Sequence, residues 1–408
     1  MVRTRPKKNP GRFRTALIGY GLLVLLSNAF RAFYPSQHLP ESGQKQVAIA
    51  GGMEIAYSES GSLGPDIPTI VLLHGSPMGA EMFSELLPIL QQSCRVIVPD
   101  LVGYGASTPK AADYSIHAQA GYMLALMDAL GLERAQVAGY SFGGGVAIAM
   151  ADIAPGRIIS LALLSSLGVQ ELELLGDSQL NRGIHGIQLA LIWLLHEGTP
   201  HFGWLDTGLL SKAYARSFFD TDQVPLRGAL TRYQKPMLII HGRADFQVPP
   251  ATAEEHHRIV PQSESVWLSG EHDLAGTHPG HLAEILSDFA HRVARGEAAT
   301  RSDATPERIR LSEERFEGRA LPRAQGAYFW VLMFLIILAS LVSEDLACIG
   351  AGLMASRGIL DFGSATLASL AGIVLGDMAL YLAGRWLGRP ILRYAPVRWF
   401  VTEARLDR

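Results

Sequence analysis

Apolar and polar positions between residues 45 and 295 follow two periods in alternation. Short apolar runs at residues 46–50, 54–58, 69–73, 95–99, 136–139, 158–164, 237–240 and 265–268 predict eight strands. Longer runs with helical spacing, at 81–91, 116–130, 144–153, 252–259 and 281–293, lie between many of them. Strands alternating with helices predict an α/β fold, a mostly parallel sheet covered on both faces. The runs TIVLL, RVIVP and MLII are apolar throughout, as strands buried on both faces are. The alternation stops between Ser166 and Lys235. That segment, a cap over about 167–235, contains the apolar helical run IHGIQLALIWLL. Its Ile187, Leu191, Trp193, Trp204 and Phe218 fit either a pocket wall or a packed core, core being the default for an apolar helix.

Both ends of the chain change the picture. Residues 1–14 hold six basic side chains (Arg3, Arg5, Lys7, Lys8, Arg12, Arg14) and no acid. The apolar run 15–30 that follows is about 24 Å long as a helix, against a hydrocarbon core of about 30 Å. Extending it to Tyr34 reaches the length and takes in Arg31, which can snorkel. A basic flank before an apolar run reads as a signal peptide or an uncleaved anchor. Without a small-residue cleavage site the expectation is an anchor helix within residues 1–35, with a surface helix as the alternative. Residues 35–44 read as a polar linker. Residues 296–323 mix arginine with acids and read as a solvated linker, partly helical over 306–316. In the last part, 324–408, the uncharged run 326–343 begins with Tyr328, Phe329 and Trp330 near its start and reads as a transmembrane segment. Residues 346–356 are too short to span and suggest a re-entrant segment. Residues 363–384 carry one charge, Asp377, and precede Arg385, Arg389, Arg393 and Arg398.

Composition narrows the class. A net charge of -3 gives no reason to expect nucleic acid as a partner. A mean hydropathy of +0.18 agrees with membrane segments. Cys94 and Cys348 lie far apart and imply neither a disulfide framework nor a metal cluster. His185, His196 and His201 read as polar-face residues, because no carboxylate or cysteine accompanies them at ligand spacing. No metal and no cofactor are expected.

Chemistry concentrates where open parallel sheets place it, directly after strands. His74-Gly75-Ser76-Pro77 follows the third predicted strand, and Pro99-Asp100 through Gly105-Ala106-Ser107 the fourth. Gly139-Tyr140-Ser141-Phe142-Gly143 ends the fifth, with a helix-forming VAIAMA soon after. His241-Gly242-Arg243-Ala244-Asp245 and Ser269-Gly270-Glu271-His272 follow the last two. A strand, a tight glycine-flanked turn and a helix is the setting in which a serine becomes a nucleophile, and such a serine needs a base.

This series resembles the α/β-hydrolase fold, in the branch of esterases, lipases and carbon–carbon bond hydrolases with a helical cap, over about residues 45–295. The resemblance implies Ser141 as nucleophile, His272 as base and Asp245 as the carboxylate that orients it. It implies the N–H groups of Ser76 and Phe142 as the oxyanion hole. Asp100 is expected to hold its turn, His74 to brace the oxyanion loop, Asp273 to point elsewhere, and His278 and His281 to lie on the surface. Epoxide hydrolases and haloalkane dehalogenases of this fold carry aspartate at the elbow. A serine there implies an ester, thioester, lactone or acylated C–C bond in a small, apolar acyl substrate.

The C-terminal part resembles the start of a DedA-type (VTT, SNARE-associated) membrane domain. The residues that carry this are Glu344, Gly350-Ala351-Gly352 before Arg357-Gly358, Gly376-Asp377, Tyr381 and Gly384-Arg385. Glu344, Asp345 and Asp377 are its candidate functional acids. The family's proline-containing turn with a second acid is missing or replaced, and its later arginine-bearing half is absent, so transport by this chain alone is not expected. The expectation is a multi-pass protein of a bacterial-type plasma membrane in contact with lipid. Basic residues at both ends leave the side carrying the hydrolase, and the oligomeric state, open. The alternative function is DedA-type transport or lipid handling with a regulatory hydrolase domain.

Overall fold

The computed structural model describes residues 10–33, 43–49, 51–64, 66–316, 323–341 and 343–387. The basic residues before Pro10, most of the expected 35–44 linker and Arg389, Arg393 and Arg398 lie outside them. The chain divides into two compact units, Met1–Phe316 and Glu317–Arg408.

The first unit opens with helix α1 (Pro10–Phe33) and strands β1 (Lys45–Ile49), β2 (Met53–Ser60) and β3 (Thr69–Leu73). Short α2 (Leu87–Leu90), β4 (Arg95–Pro99), α3 (Ile116–Ala129), β5 (Ala135–Tyr140), α4 (Phe142–Ile153) and β6 (Ile158–Leu164) follow. The cap holds α5 (Ser178–Gly198), α6 (Lys212–Asp220) and α7 (Val224–Arg232). The unit ends with β7 (Met237–Gly242), α8 (Pro250–Ile259), β8 (Glu264–Leu268), α9 (Leu274–Thr277), α10 (Pro279–Ala294) and α11 (Pro306–Glu313).

All eight expected strands form one sheet in the order β1-β2-β4-β3-β5-β6-β7-β8. β2 pairs antiparallel with β1 and β4, and the remaining pairs are parallel. The period of two then sorts each central strand between two cores. In β3, Val71 and Leu73 face a core shared with α3 and α4, and Ile70 and Leu72 face one shared with α2 and α10.

Two expectations change in this unit. The helix expected over 81–91 is a 3-10 turn (Ala80–Phe83) and the four-residue α2. Pro88 has no N–H to continue a helical ladder, and Asp100 Oδ1 takes the Ala80 N–H at 2.8 Å. The linker expected from 296 is folded as far as Phe316. Its Arg308 bonds the His257 and Val260 carbonyls, and Arg258 donates to the Leu311 and Glu314 carbonyls.

The second unit packs α12 (Gly326–Ser340), α13 (Glu344–Ser356) and α14 (Phe362–Leu387). Small residues permit close approach: a Cβ on Gly372 would lie 2.5 Å from that of Ser340. The expected 326–343 span is a 15-residue helix, about 22 Å long and short of the ~30 Å needed to cross alone. Residues 346–356, expected as re-entrant, belong to α13. Within α14, Phe362–Leu382 has the length and a mean hydropathy of 1.6 that suit a crossing. Glu344 and Asp345 are exposed in the first turn of α13, where acids complement the helix dipole, and Asp377 is exposed on α14.

Candidate active site

Ser141 sits where β5 turns into α4. Its φ of 51° and ψ of -114° are backbone values that a side-chain-bearing residue adopts only under constraint. Ser141 N–H donates to the Leu164 carbonyl at 2.9 Å, and its own carbonyl accepts from Gly144 N–H at 3.0 Å. The glycines let backbone pass backbone. A Cβ on Gly143 would lie 2.6 Å from the Leu73 oxygen, and one on Gly75 would lie 3.1 Å from the Ser141 Cβ. Ser141 is 8% exposed.

Asp245 follows β7 and is buried. Its Oδ1 accepts from the N–H groups of Gln247 and Val248, both at 2.9 Å, and its Oδ2 lies 2.7 Å from His272 Nδ1. A carboxylate held from both oxygens leaves Nδ1 as a donor, which turns Nε2 into the acceptor. That Nε2 has no protein hydrogen-bond partner among the described residues, and none joins Ser141 Oγ to the imidazole. Tyr140 spans the two positions. Its ring centroid is 5.3 Å from that of His272, and its hydroxyl donates to the His272 carbonyl. The sequence reading did not single out Tyr140, although its place beside Ser141 at a strand end was the available signal.

The N–H groups of Ser76 and Phe142 make no hydrogen bond among the described residues. Phe142 begins α4, where unpaired donors and the helix dipole favour an anion. Ser76 is held by its side chain through three hydroxyls. Ser217 Oγ donates to the Ala213 carbonyl at 2.9 Å, so it must accept from Tyr104. The Tyr104 oxygen in turn accepts from Ser76 Oγ at 2.7 Å. Burial pushes the Tyr104 phenol up to about 12, which keeps it a donor. The chain of hydroxyls ties the expected oxyanion loop to α6 of the cap, a link that sequence spacing could not reveal.

His74 is fully buried and its ring is committed at both nitrogens. Nδ1 lies 2.8 Å from the Gly75 carbonyl and Nε2 accepts from Leu101 N–H at 2.8 Å. Burial depresses its pKa, so it braces the loop as a neutral ring. Asp100 takes the N–H groups of Ala80 and Ala106. Asp273 caps α9 through Gly276 N–H, and His281 is exposed.

The three cap histidines depart from expectation, for all are buried: His185 at 9% exposed, His196 and His201 at 0%. Tertiary folding also supplies the carboxylate that their spacing lacked. His196, His201 and Asp206 offer ligand atoms within 4.8 Å of one another. Arg31 of α1 already lies among them, its guanidinium 3.0 Å from Asp206 Oδ1 and 3.4 Å from His196 Nδ1. The Arg31 guanidinium brings a positive charge to that cluster. Ile187, Leu191, Trp193 and Trp204 are likewise outside any core and exposed, whereas Phe218 packs on Phe142 at a centroid distance of 5.8 Å.

A cavity of about 990 Å³ adjoins the Ser76 loop. Pro77 and Met78, directly after Ser76, line it together with Asn28 and Arg31 of α1 and Ser211 and Lys212 of the cap.

Residues 68–183 match the family model described as alpha/beta hydrolase fold. Similar curated proteins include a 2-hydroxymuconate semialdehyde hydrolase of Pseudomonas sp. (strain CF600), 36% identical over 137 residues, 33% of this chain and 46% of that one. A 2-hydroxy-6-oxo-2,4-heptadienoate hydrolase of Pseudomonas putida is 33% identical over 128 residues, 30% of this chain and 45% of that one. The chain thus spans somewhat under half the length of these curated relatives. Among solved structures, a hydrolase from Pseudomonas aeruginosa superposes with a TM-score of 0.50 at 23% identity, over 61% of this chain and 98% of that one. That likeness bears on fold alone. The family match ends at residue 183, so the DedA resemblance of 324–408 rests on the residues named for it. By sheet order, by the serine elbow and by these matches, the first unit carries an α/β-hydrolase fold and is similar in sequence to hydrolases.

Proposed function

We propose that this chain is a membrane-attached serine hydrolase that cleaves an ester-like bond, whether ester, thioester, lactone or acylated C–C bond, through an acyl-enzyme. The supporting observation is the 2.7 Å contact of Asp245 with His272 beside a serine held at φ 51°. In this reading Ser141 Oγ attacks the substrate carbonyl carbon while its proton passes to His272 Nε2. Negative charge then develops on the carbonyl oxygen and meets the N–H groups of Ser76 and Phe142. Collapse of the tetrahedral species breaks the bond to the leaving group, which takes the proton from His272. Water, deprotonated by the same imidazole, then releases the acyl group and restores the serine. Asp245 holds the ring in the tautomer this requires and stabilises the imidazolium. Attachment to a bilayer is supported by the apolar α1 and by the Phe362–Leu382 stretch of α14.

The test is covalent labelling of the full chain by a fluorophosphonate. The expected outcome is a labelled band that vanishes in Ser141→Ala and forms about 10⁴-fold more slowly in Asp245→Asn, where the imidazole takes the wrong tautomer. A wild-type protein that stays unlabelled sinks the catalytic assignment.

A further inference from the structure

Helix α5 of the cap is turned inside out for a protein in water. Its buried positions are Asn181, His185, Ile192 and His196, three of the four polar. Its outer stripe is Leu180, Ile184, Ile187, Leu191 and Leu194, at steps of four, three, four and three residues that keep one face of a helix, each 37–58% exposed. The stripe runs out at Gly198, where α1 docks: the Tyr20 hydroxyl donates to the Gly198 carbonyl. Further along α1, Ser27 Oγ accepts from Phe202 N–H at 2.9 Å, Phe30 meets the Phe202 ring edge-on, and Arg31 pairs with Asp206. Trp204 and Leu209, exposed in the same cap loop, extend the apolar surface.

The occupant of this surface is decided by α1. Leu17, Ile18, Leu22, Leu23, Leu25 and Leu26 point in directions spread around the helix, yet all are 50–67% exposed. A protein partner covers one stripe of a helix, whereas a lipid layer takes up every side that the cap leaves free. The six basic residues in positions 1–14, with no acid, suit anionic headgroups next to that helix.

Contact with the cap also limits how α1 can lie. From Tyr20 to Arg31 the helix runs about 16 Å against the cap, leaving only residues 15–19, about 8 Å of its apolar length, clear of it. A crossing helix would therefore drag Glu197, Asp206 and Lys212 of the cap into hydrocarbon, which is costly for ionised groups.

Resting on the reading of a membrane-attached hydrolase, we infer that α1 and the outer face of the cap together form one surface embedded in the interfacial layer of an anionic bilayer. α1 lies along the membrane and does not cross it. The 990 Å³ cavity that Asn28 and Arg31 of α1 line together with Pro77 and Met78 then lies next to that surface. This arrangement places the basic N-terminus and the hydrolase on the same side of the membrane.

Depth measurement on the full chain tests this. Nitroxide labels on Leu25→Cys, Leu191→Cys and Trp204→Cys, each in a Cys348→Ser background, are read in vesicles of phosphatidylcholine and phosphatidylglycerol. Glu284→Cys on α10 is the aqueous reference. Cys94 is buried and stays unlabelled. The expected result is that the labels at 25, 191 and 204 are accessible to oxygen, shielded from a water-soluble nickel reagent, and about 5–10 Å below the headgroup boundary. Cap labels as open to nickel as position 284 overturn the inference, whether position 25 is deep or not. So does shielding of 191 and 204 from both reagents without lipid, which means a protein covers them. Fluorophosphonate labelling of the same samples reports the active site separately, so loss of depth with intact labelling removes the embedding alone. Correct depth without labelling removes the catalysis alone.

Discussion

His256 illustrates what burial does to one side chain. It is 1% exposed on α8, its Nε2 has no hydrogen-bond partner, and burial, with help from His241 and Arg227, lowers its pKa to about 3. In the unfolded chain the same ring takes a proton near pH 6.5. Below that pH the unfolded state binds more protons than the folded one, and stability falls with a slope approaching about 1.4 kcal/mol per pH unit until the folded pKa is reached. Above it the ring is neutral in both states and contributes no pH dependence. His256→Leu should remove this liability. Its unfolding midpoint, relative to wild type, is expected to stay level above about pH 7 and rise steadily as pH drops toward 4.5. A difference constant across that range would mean that the folded ring takes its proton at the same pH as the unfolded one. The helical pattern over 252–259 was readable, but which histidine it turns inward, and the lack of a partner there, depend on strands distant in sequence. Ser141, Asp245 and His272 were readable as candidates for a different reason: each directly follows a strand, and strand ends are set by local apolar runs.

Among the elements, the elbow shows where a glycine is obligatory and where it is incidental. Gly143 lets α4 approach the Leu73 carbonyl of β3, and a methyl there would meet backbone that cannot move aside. Gly121 on α3 has open space around the position of a Cβ. Gly121→Ala is expected to stabilise the protein by about 0.5–1 kcal/mol through helix propensity. Gly143→Ala should destabilise it by about 1–3 kcal/mol and slow labelling of Ser141. Paired unfolding curves check both, and equal effects would remove the close-approach argument. Helix α5 makes the opposite point. Its apolar run was readable as a helix, yet the default of a packed core does not hold for Ile187 and Leu191, which are exposed. The interrupted helix over 81–91 was legible at Pro88, but the competing acceptor, Asp100, was not.

At the scale of the whole molecule, the hydrolase unit continues past its last sheet-covering helix. Arg258 and Arg308 tie α11 to α8 through carbonyls that no charge pattern announces. A chain ending at Phe316 should therefore keep the stability of the unit, whereas one ending at Arg295 loses several charged hydrogen bonds worth about 1.5–3 kcal/mol each. Urea unfolding of the two would separate them, and identical midpoints would return residues 296–316 to the role of linker.

Local pattern by itself determined the strands, their α/β class, the elbow and the places where candidate chemistry must stand, because period and strand ends are properties of neighbouring residues. Tertiary structure alone decided that Tyr104 joins the Ser76 loop to the cap and that Arg31 enters the His196–His201–Asp206 cluster, and it brought Asp245 to 2.7 Å from His272, the pairing that the family resemblance implied. It also decided that α5 shows its leucines outward. These outcomes depend on distances between segments far apart in the chain, and one-dimensional spacing does not encode distance across a fold.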